Sequence, residues 1–314
     1  MPDQAFAKFV EVWPLCGEVS QAIYTATRSF VNPIINETGL TQPRVVHTLL
    51  LARAIEPDPL SPERIGRRFS YGVLTVWAQA MEILAERQLL EAQSDGSYRL
   101  TPGGRAITTR ILKEFYAGLA GIEKSIGGVY PAAEVDRLSA LLTGLVAACL
   151  NAPIDRFGLK DSHGLAPNGG AAALARIDQA LDDLNAFRDD AHLATWRSLG
   201  VTGQAWELLT FLWQGEVKNA AEMSEKAAAH GHTPEAYQSA LGDLIGRGWV
   251  RAADEKSFEV TATGRQIRET AEAETDRNFY APWLTLSEAD VNDLRDLLTC
   301  LKPALARIQE AVPA

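Results

Sequence analysis

Apolar residues recur at helical spacing over most of the chain, and a short β pattern interrupts them twice. From Leu84 to Arg105 the sequence LAERQLLEAQSDGSYRLTPGGR ends one amphipathic helix, passes through two short strands and starts another helix. Leu89, Leu90 and Ala92 lead into Ser94-Asp95-Gly96-Ser97. Asp-Gly between β-prone runs is a strong local hairpin signal. Tyr98 and Leu100 make the return strand, and Thr101-Pro102 supplies an N-cap and a first-turn proline.

The same stretch returns from Leu244 to Arg265 as LIGRGWVRAADEKSFEVTATGR. Leu84 corresponds to Leu244 and Arg105 to Arg265, and both differences, 244 − 84 and 265 − 105, equal 160, so no gap is needed. A spacing of half the chain is too long for a solenoid and implies a duplicated domain. Helix, hairpin and helix in so few residues form the C-terminal half of a winged helix-turn-helix.

The remaining periodicity completes each unit. Residues 4–37 read as helix, broken near Trp13-Pro14, and Gln42 to Ile55 as the next, ended by Pro57-Asp58-Pro59. Ser61-Pro62 caps a short helix to Phe69, and Ser70 to Arg87 stands where a recognition helix would. Long helices follow from Pro102 to about Glu123 and from Ala132 to Asn151. The segment 153–170, rich in Gly, Pro, Asp and Asn, is aperiodic and reads as a linker. Ala171 to Arg197 is again helical and opens a second cycle ending at Ser287–Ile308. The expected fold is mainly α with two small β-hairpin wings: duplicated winged helix-turn-helix units, 1–152 and 171–314, joined by long helices.

Composition narrows the class. The 314 residues are 46% hydrophobic and 22% charged, enough for two cores. Cys16, Cys149 and Cys300 sit in apolar helical patterns and read as buried reduced thiols. Neither a basic-then-apolar leader nor an apolar run of membrane length is visible, so a cytoplasmic protein without a membrane partner is expected. The net charge of −10 disfavours a generic polyanion binder. Locally, Gln42 to Arg105 carries eight basic and seven acidic residues, whereas Thr202 to Arg265 carries six and nine. The first unit is the better suited to DNA.

The pattern resembles the MarR-type winged-helix family. The residues that carry the likeness are Leu40-Thr41, Leu84 to Leu90 and Thr101-Pro102-Gly103-Gly104-Arg105, with Val201-Thr202, Leu244 to Val250 and Thr261-Ala262-Thr263-Gly264-Arg265 in the second copy. Phe279-Tyr280-Ala281-Pro282-Trp283 before the last helix is also similar. Such proteins are usually homodimers that read DNA with two recognition helices and respond to small phenolic or apolar ligands. The resemblance therefore implies a single-chain, monomeric pseudo-dimer that regulates transcription.

Candidate DNA-contacting residues are Arg64, Arg67 and Arg68 for phosphates, Thr75 and Gln79 on the recognition helix, and Arg99 on the wing. The second recognition helix presents Pro234, Glu235, Gln238 and Ser239, and Glu235 has the wrong sign for phosphate. A rival reading follows: a winged-helix scaffold that no longer binds DNA and serves as a small-molecule binding protein or an atypical enzyme.

Residues on helices that would border the family's ligand cleft are Trp13, Tyr24, Arg28, His47, Trp77, Phe115 and Tyr116 in the first unit, and His192, Trp196, Trp206, Tyr280 and Trp283 in the second. Asn185, Arg188, Asp189 and His192 share one helix sector and read either as an ion-pair network between the units or as a site. No metal-ligand spacing, phosphate loop, nucleophile triad or paired-carboxylate arrangement rises above chance. No cofactor or metal is expected, and nothing supports an enzyme directly.

Overall fold

The computed structural model describes residues 4–311. A 3-10 turn (Gln4–Phe6) and α1 (Ala7–Val10) lead into α2 (Trp13–Thr38), α3 (Pro43–Ala54), α4 (Pro62–Arg68) and α5 (Thr75–Glu86). A hairpin of β1 (Leu90–Ala92) and β2 (Tyr98–Leu100) precedes α6 (Pro102–Ile126), α7 (Ala132–Cys149) and α8 (Phe157–His163). Then come α9 (Ala173–Trp196), α10 (Gly203–Gln214), α11 (Ala220–Lys226) and α12 (Pro234–Gly246). The hairpin of β3 (Val250–Ala252) and β4 (Phe258–Val260), α13 (Ala262–Tyr280) and α14 (Glu288–Ala311) complete the chain. The protein is mainly helical, with two separate antiparallel strand pairs.

Local chemistry explains the repeated segments. Leu90 pairs with Leu100 in the first hairpin and Val250 with Val260 in the second. Gly96 takes the left-handed φ of 81° that the first turn requires. Thr101 and Thr261 each accept a hydrogen bond from the glycine amide three residues on, at 3.0 and 3.1 Å. Each threonine hydroxyl also donates back across the hairpin, to the Gln88 or Gly248 carbonyl at 2.7 Å. A Cβ on Gly104 or Gly264 would stand 2.2 Å from the carbonyl oxygen of Leu89 or Trp249, which is why both positions are glycine.

Three hydrophobic clusters organise the packing. The largest joins α2, the C-terminal part of α6, α7, α9, the end of α13 and α14 into a central helical body. The other two lie inside smaller heads: α3, α5 and β1–β2 in the first half, and α10, α12 and β3–β4 in the second.

The expected break in the N-terminal helix is present just before Trp13, and Pro14 falls in the first turn of α2, where its missing N–H is harmless. Other expectations need correction. The segment 153–170 is not a plain linker. It contains α8, whose first amides, Gly158 and Leu159, donate to the buried Asp190 carboxylate at 2.9 and 2.8 Å. Among the thiols, Cys16 and Cys149 are buried, and burial pushes Cys16 up to about 12, but Cys300 is exposed on α14. Among the described residues no helix is long and apolar enough to cross a membrane.

The two heads touch where backbone meets backbone. A Cβ on Gly203 would lie 1.8 Å from the carbonyl oxygen of Ser70, so a side chain there must push α10 away from the segment before α5. Gly242, on α12, has nothing within 4 Å of its would-be Cβ. Urea unfolding should therefore separate the two: Gly203→Ala should lose about 1–3 kcal/mol through overpacking, and Gly242→Ala should gain up to about 1 kcal/mol from helix propensity. A neutral Gly203→Ala would mean that the heads are not in contact in solution.

Candidate functional site

Two surfaces carry the residues singled out by the sequence. On the first, the α4 arginines turn toward acids on and beside α8 and α9. Arg64 bridges Asp161 at 2.8 Å and Asp58 at 3.2 Å, Arg67 meets Asp155 at 3.1 Å, and Arg68 meets Asp189 at 2.8 Å. Arg67 also lies over the Phe157 ring at 4.3 Å. Arg99 donates to the Pro57 carbonyl. Thr75 and Gln79 are exposed on α5, as are Pro234, Glu235, Gln238 and Ser239 on α12.

The connectors that precede α5 and α12 are stitched together. Val73 N–H donates to the His230 carbonyl at 2.9 Å, His232 Nε2 donates to the Tyr71 carbonyl at 2.7 Å, and Arg44 donates to the Ala229 carbonyl at 2.8 Å. Gly231 fits at this junction with φ 77°, where a Cβ would meet Val73 and Val76 at 2.9 and 3.0 Å. The first turns of the two helices are thus held beside each other.

The second surface is a pair of clefts. The first-half cleft, about 520 Å³, lies between α2, α3, α6 and α9. The second-half cleft, about 460 Å³, lies between α9, α10 and α13. Their walls correspond position by position. Arg28, Asn32, His47, Leu50, Leu112 and Phe115 line the first, and Arg188, His192, Glu207, Thr210, Glu272 and Thr275, each 160 positions later (188 − 28, 275 − 115), line the second. Place is kept while chemistry changes: the first cleft is largely apolar and the second densely polar.

The second-half cleft is a hydrogen-bonded network. Trp206 Nε1–H, which can only donate, points to His192 Nε2 at 3.3 Å, so that nitrogen is an acceptor. The Tyr71 hydroxyl donates to the same nitrogen at 2.8 Å, and Nδ1 carries the proton toward Thr275 at 3.3 Å. Burial pulls His192 down to about 4, and the charges of Arg268 and Arg188 act in the same direction against Glu272. The ring is a neutral imidazole with a fixed tautomer. Arg268, only 2% exposed, donates to Glu272 at 2.5 Å. Its guanidinium lies over Trp206 and Trp213 at 4.5 and 5.3 Å, while Nε and Nη1 have no hydrogen-bond partner among the described residues.

Tyr24, Arg28, His47, Phe115 and Tyr116 come together around the first-half cleft, and His192 lines the second. Trp77 is in the first-head core, Trp196 and Trp206 in the second, and Tyr280 and Trp283 in the central core, with Trp13 packed against it. None of these six aromatics lines either cleft, because their rings are taken up by core packing instead. The sector Asn185, Arg188, Asp189 and His192 lines the second-half cleft and is also cross-linked, Asp189 to Arg68 and Arg188 to Asp276 at 3.3 Å. Sequence reasoning passes over Tyr71 and Arg268, which have no local signature. It also passes over Asp178 and Asp182, whose i, i+4 spacing on one helix face is the available signal.

Residues 163–312 match a helix-turn-helix family. The second half of the chain thus carries a helix-turn-helix domain, which points at a coarse level to a DNA-binding regulator. No curated protein and no solved structure shows significant similarity to the chain.

The histidine network makes a prediction for NMR. His192, depressed by burial, should keep its Nδ1–H tautomer and not titrate between pH 8 and pH 5 in ring ¹⁵N spectra. His163, raised by its hydrogen bond to Asp183, should titrate above its ordinary value in the same series. A His192 midpoint near that of a free imidazole would contradict the network.

Proposed function

We propose that the chain is a ligand-responsive transcription regulator: two MarR-like winged helix-turn-helix units, 1–152 and 171–314, fused through segment 153–170 into a monomeric pseudo-dimer. On this reading α5 and α12 are the recognition helices and the two hairpins are wings. The helix-turn-helix match runs through α9 to α14, all the helices of the second unit, and the first unit repeats their order. The two clefts at corresponding positions are the small-molecule sites.

The observation that carries this reading is Tyr71. It belongs to the connector that sets where α5 begins, yet its hydroxyl and ring form part of the second-half cleft. Its ring also stacks on Trp196 at 6.1 Å and on His230 at 6.4 Å. A molecule entering that cleft meets the anchor of the opposite unit's recognition helix. Ligands move a two-state equilibrium only through unequal affinity for the states, and Tyr71 is the point at which the inequality arises. The stitched arrangement, with Arg64, Arg67 and Arg68 held by carboxylates, is the DNA-released state. DNA contact by Thr75, Gln79, Arg99 and those arginines requires it to open.

A second reading, a scaffold that binds small molecules and no DNA, is favoured by the same ion pairs, because phosphates would have to displace Asp58, Asp155, Asp161 and Asp189. Fluorescence anisotropy on DNA from the upstream region separates the two. The regulator should bind at low salt, and its affinity should fall as salt is added. Tyr71→Phe should raise DNA affinity by about 2–10-fold, the worth of one hydrogen bond holding the released state. Absence of binding at low salt by both proteins would establish the scaffold reading.

A further inference from the structure

The two clefts differ in how their carboxylates are balanced. In the second-half cleft each acid has a partner: Asp189 pairs with Arg68, Glu272 with Arg268, and Glu207 with His230 at 3.0 Å and the Tyr237 hydroxyl at 3.1 Å. In the first-half cleft Asp178 and Asp182, one turn apart on α9, form no hydrogen bond or ion pair with any described residue. The neighbouring Asp183 is satisfied by Ser162, His163 and Gln179 and turns away from the question.

Among the described residues no cation forms an ion pair with either aspartate; Arg68, already paired with Asp189, acts on Asp182 only through its charge. Arg28 is engaged with Tyr24, its guanidinium 4.7 Å from the ring centre, and forms no ion pair with either aspartate. His47 is held down to about 4 by burial and by the Arg68 charge, so it is neutral under ordinary conditions. Asp182 is exposed and lines both this cleft and the neighbouring cavity beside Arg68. Burial, with Asp182 beside it, pushes Asp178 up to about 8, and burial, with Asp183 beside it, pushes Asp182 up to about 6. Asp178 therefore holds its proton at neutral pH, and two carboxyls without an ion-pair partner on one wall of an apolar cleft favour a cation, whose arrival would release that proton. The rings of Tyr24, Phe115 and Tyr116 line the same cleft, and aromatic faces attract cations, as Arg28 over the Tyr24 ring already illustrates.

We infer that the first-half cleft takes a cationic ligand with a flat apolar body, an aromatic or lipophilic ammonium, with Asp178 and Asp182 as counter-charge and the three rings as walls. This rests on the reading of the clefts as small-molecule sites and names the ligand class for one of them. It does not depend on DNA binding. The volume of about 520 Å³ accommodates a bicyclic amine, and the mixed apolar and acidic lining gives such a ligand both its body and its charge a place.

Calorimetric titration of the full chain with three probes of one shape tests the assignment: 1-naphthylmethylamine (protonated), 1-naphthalenemethanol (neutral) and 1-naphthoate (anionic). The amine should bind at least about tenfold tighter than the alcohol, as expected for hydrogen bonds to charged groups, and the naphthoate should bind weakest. The double variant Asp178→Asn with Asp182→Asn should abolish the amine's advantage while the alcohol's affinity stays unchanged. The alcohol also reports that the variant's cleft remains folded, and replacing two carboxyls that hold no ion-pair partner by amides of the same shape should not destabilise it.

Equal binding of all three probes, preference for the naphthoate, or an amine preference that survives the double variant would overturn the inference and leave the cleft a small-molecule site of another class. Binding of none would overturn both this assignment and the small-molecule reading of the first-half cleft.

Discussion

Everything in the molecule is arranged around the need to satisfy the polar groups of α9. The helix is buried along much of its length, yet it carries Asp183 and Asp190 at 1% exposure and Arg188, Asp189 and His192 only partly exposed. Leaving such groups without partners in the interior costs several kcal/mol each, so each recruits one from another element. Asp190 organises the start of α8, Asp183 holds its end, Asp189 reaches α4, Arg188 reaches α13, and His192 reaches Tyr71 and α10. The central body and both heads meet on this one helix because its charges leave them no alternative.

That constraint also shapes the electrostatics of the heads. A row of arginines on a short helix suggests a phosphate grip when read alone, and in the folded chain it instead neutralises acids of α8 and α9. The acidic excess of the whole chain, −10, is therefore not relieved by a basic face at α4. What remains exposed on α5 and α12 is uncharged or acidic, Thr75, Gln79, Glu82 and Glu86 on one and Glu235, Gln238, Ser239 and Asp243 on the other.

Much of the fold was legible because it is written locally. The Asp-Gly turn, the Thr101 and Thr261 caps and the glycines pressed against the hairpins are short-range devices, and their recurrence exposed the two halves. What was hidden depends on distance along the chain. The segment 153–170 looks aperiodic, and α8 exists there because Asp190 caps it from about thirty residues away. The partners of Arg64, Arg67 and Arg68 lie 97, 88 and 121 residues off, and Tyr71 is 121 residues from His192. Aromatics at helical spacing carried both meanings: Tyr24, Phe115 and Tyr116 border a cleft, whereas Trp77, Tyr280 and Trp283 fill cores. The pair Asp178 and Asp182 was visible as a spacing, but that neither forms an ion pair with a described residue was not.

The corresponding clefts differ in chemistry while one shared helix, α9, lines both. In an assembly of identical subunits every substitution appears in each copy. Within one chain the corresponding positions are separate residues, so Asn32 on one side and His192 on the other differ without constraint. A displacement of α9 that reshapes one cleft must reshape the other, so two unlike cavities share one wall.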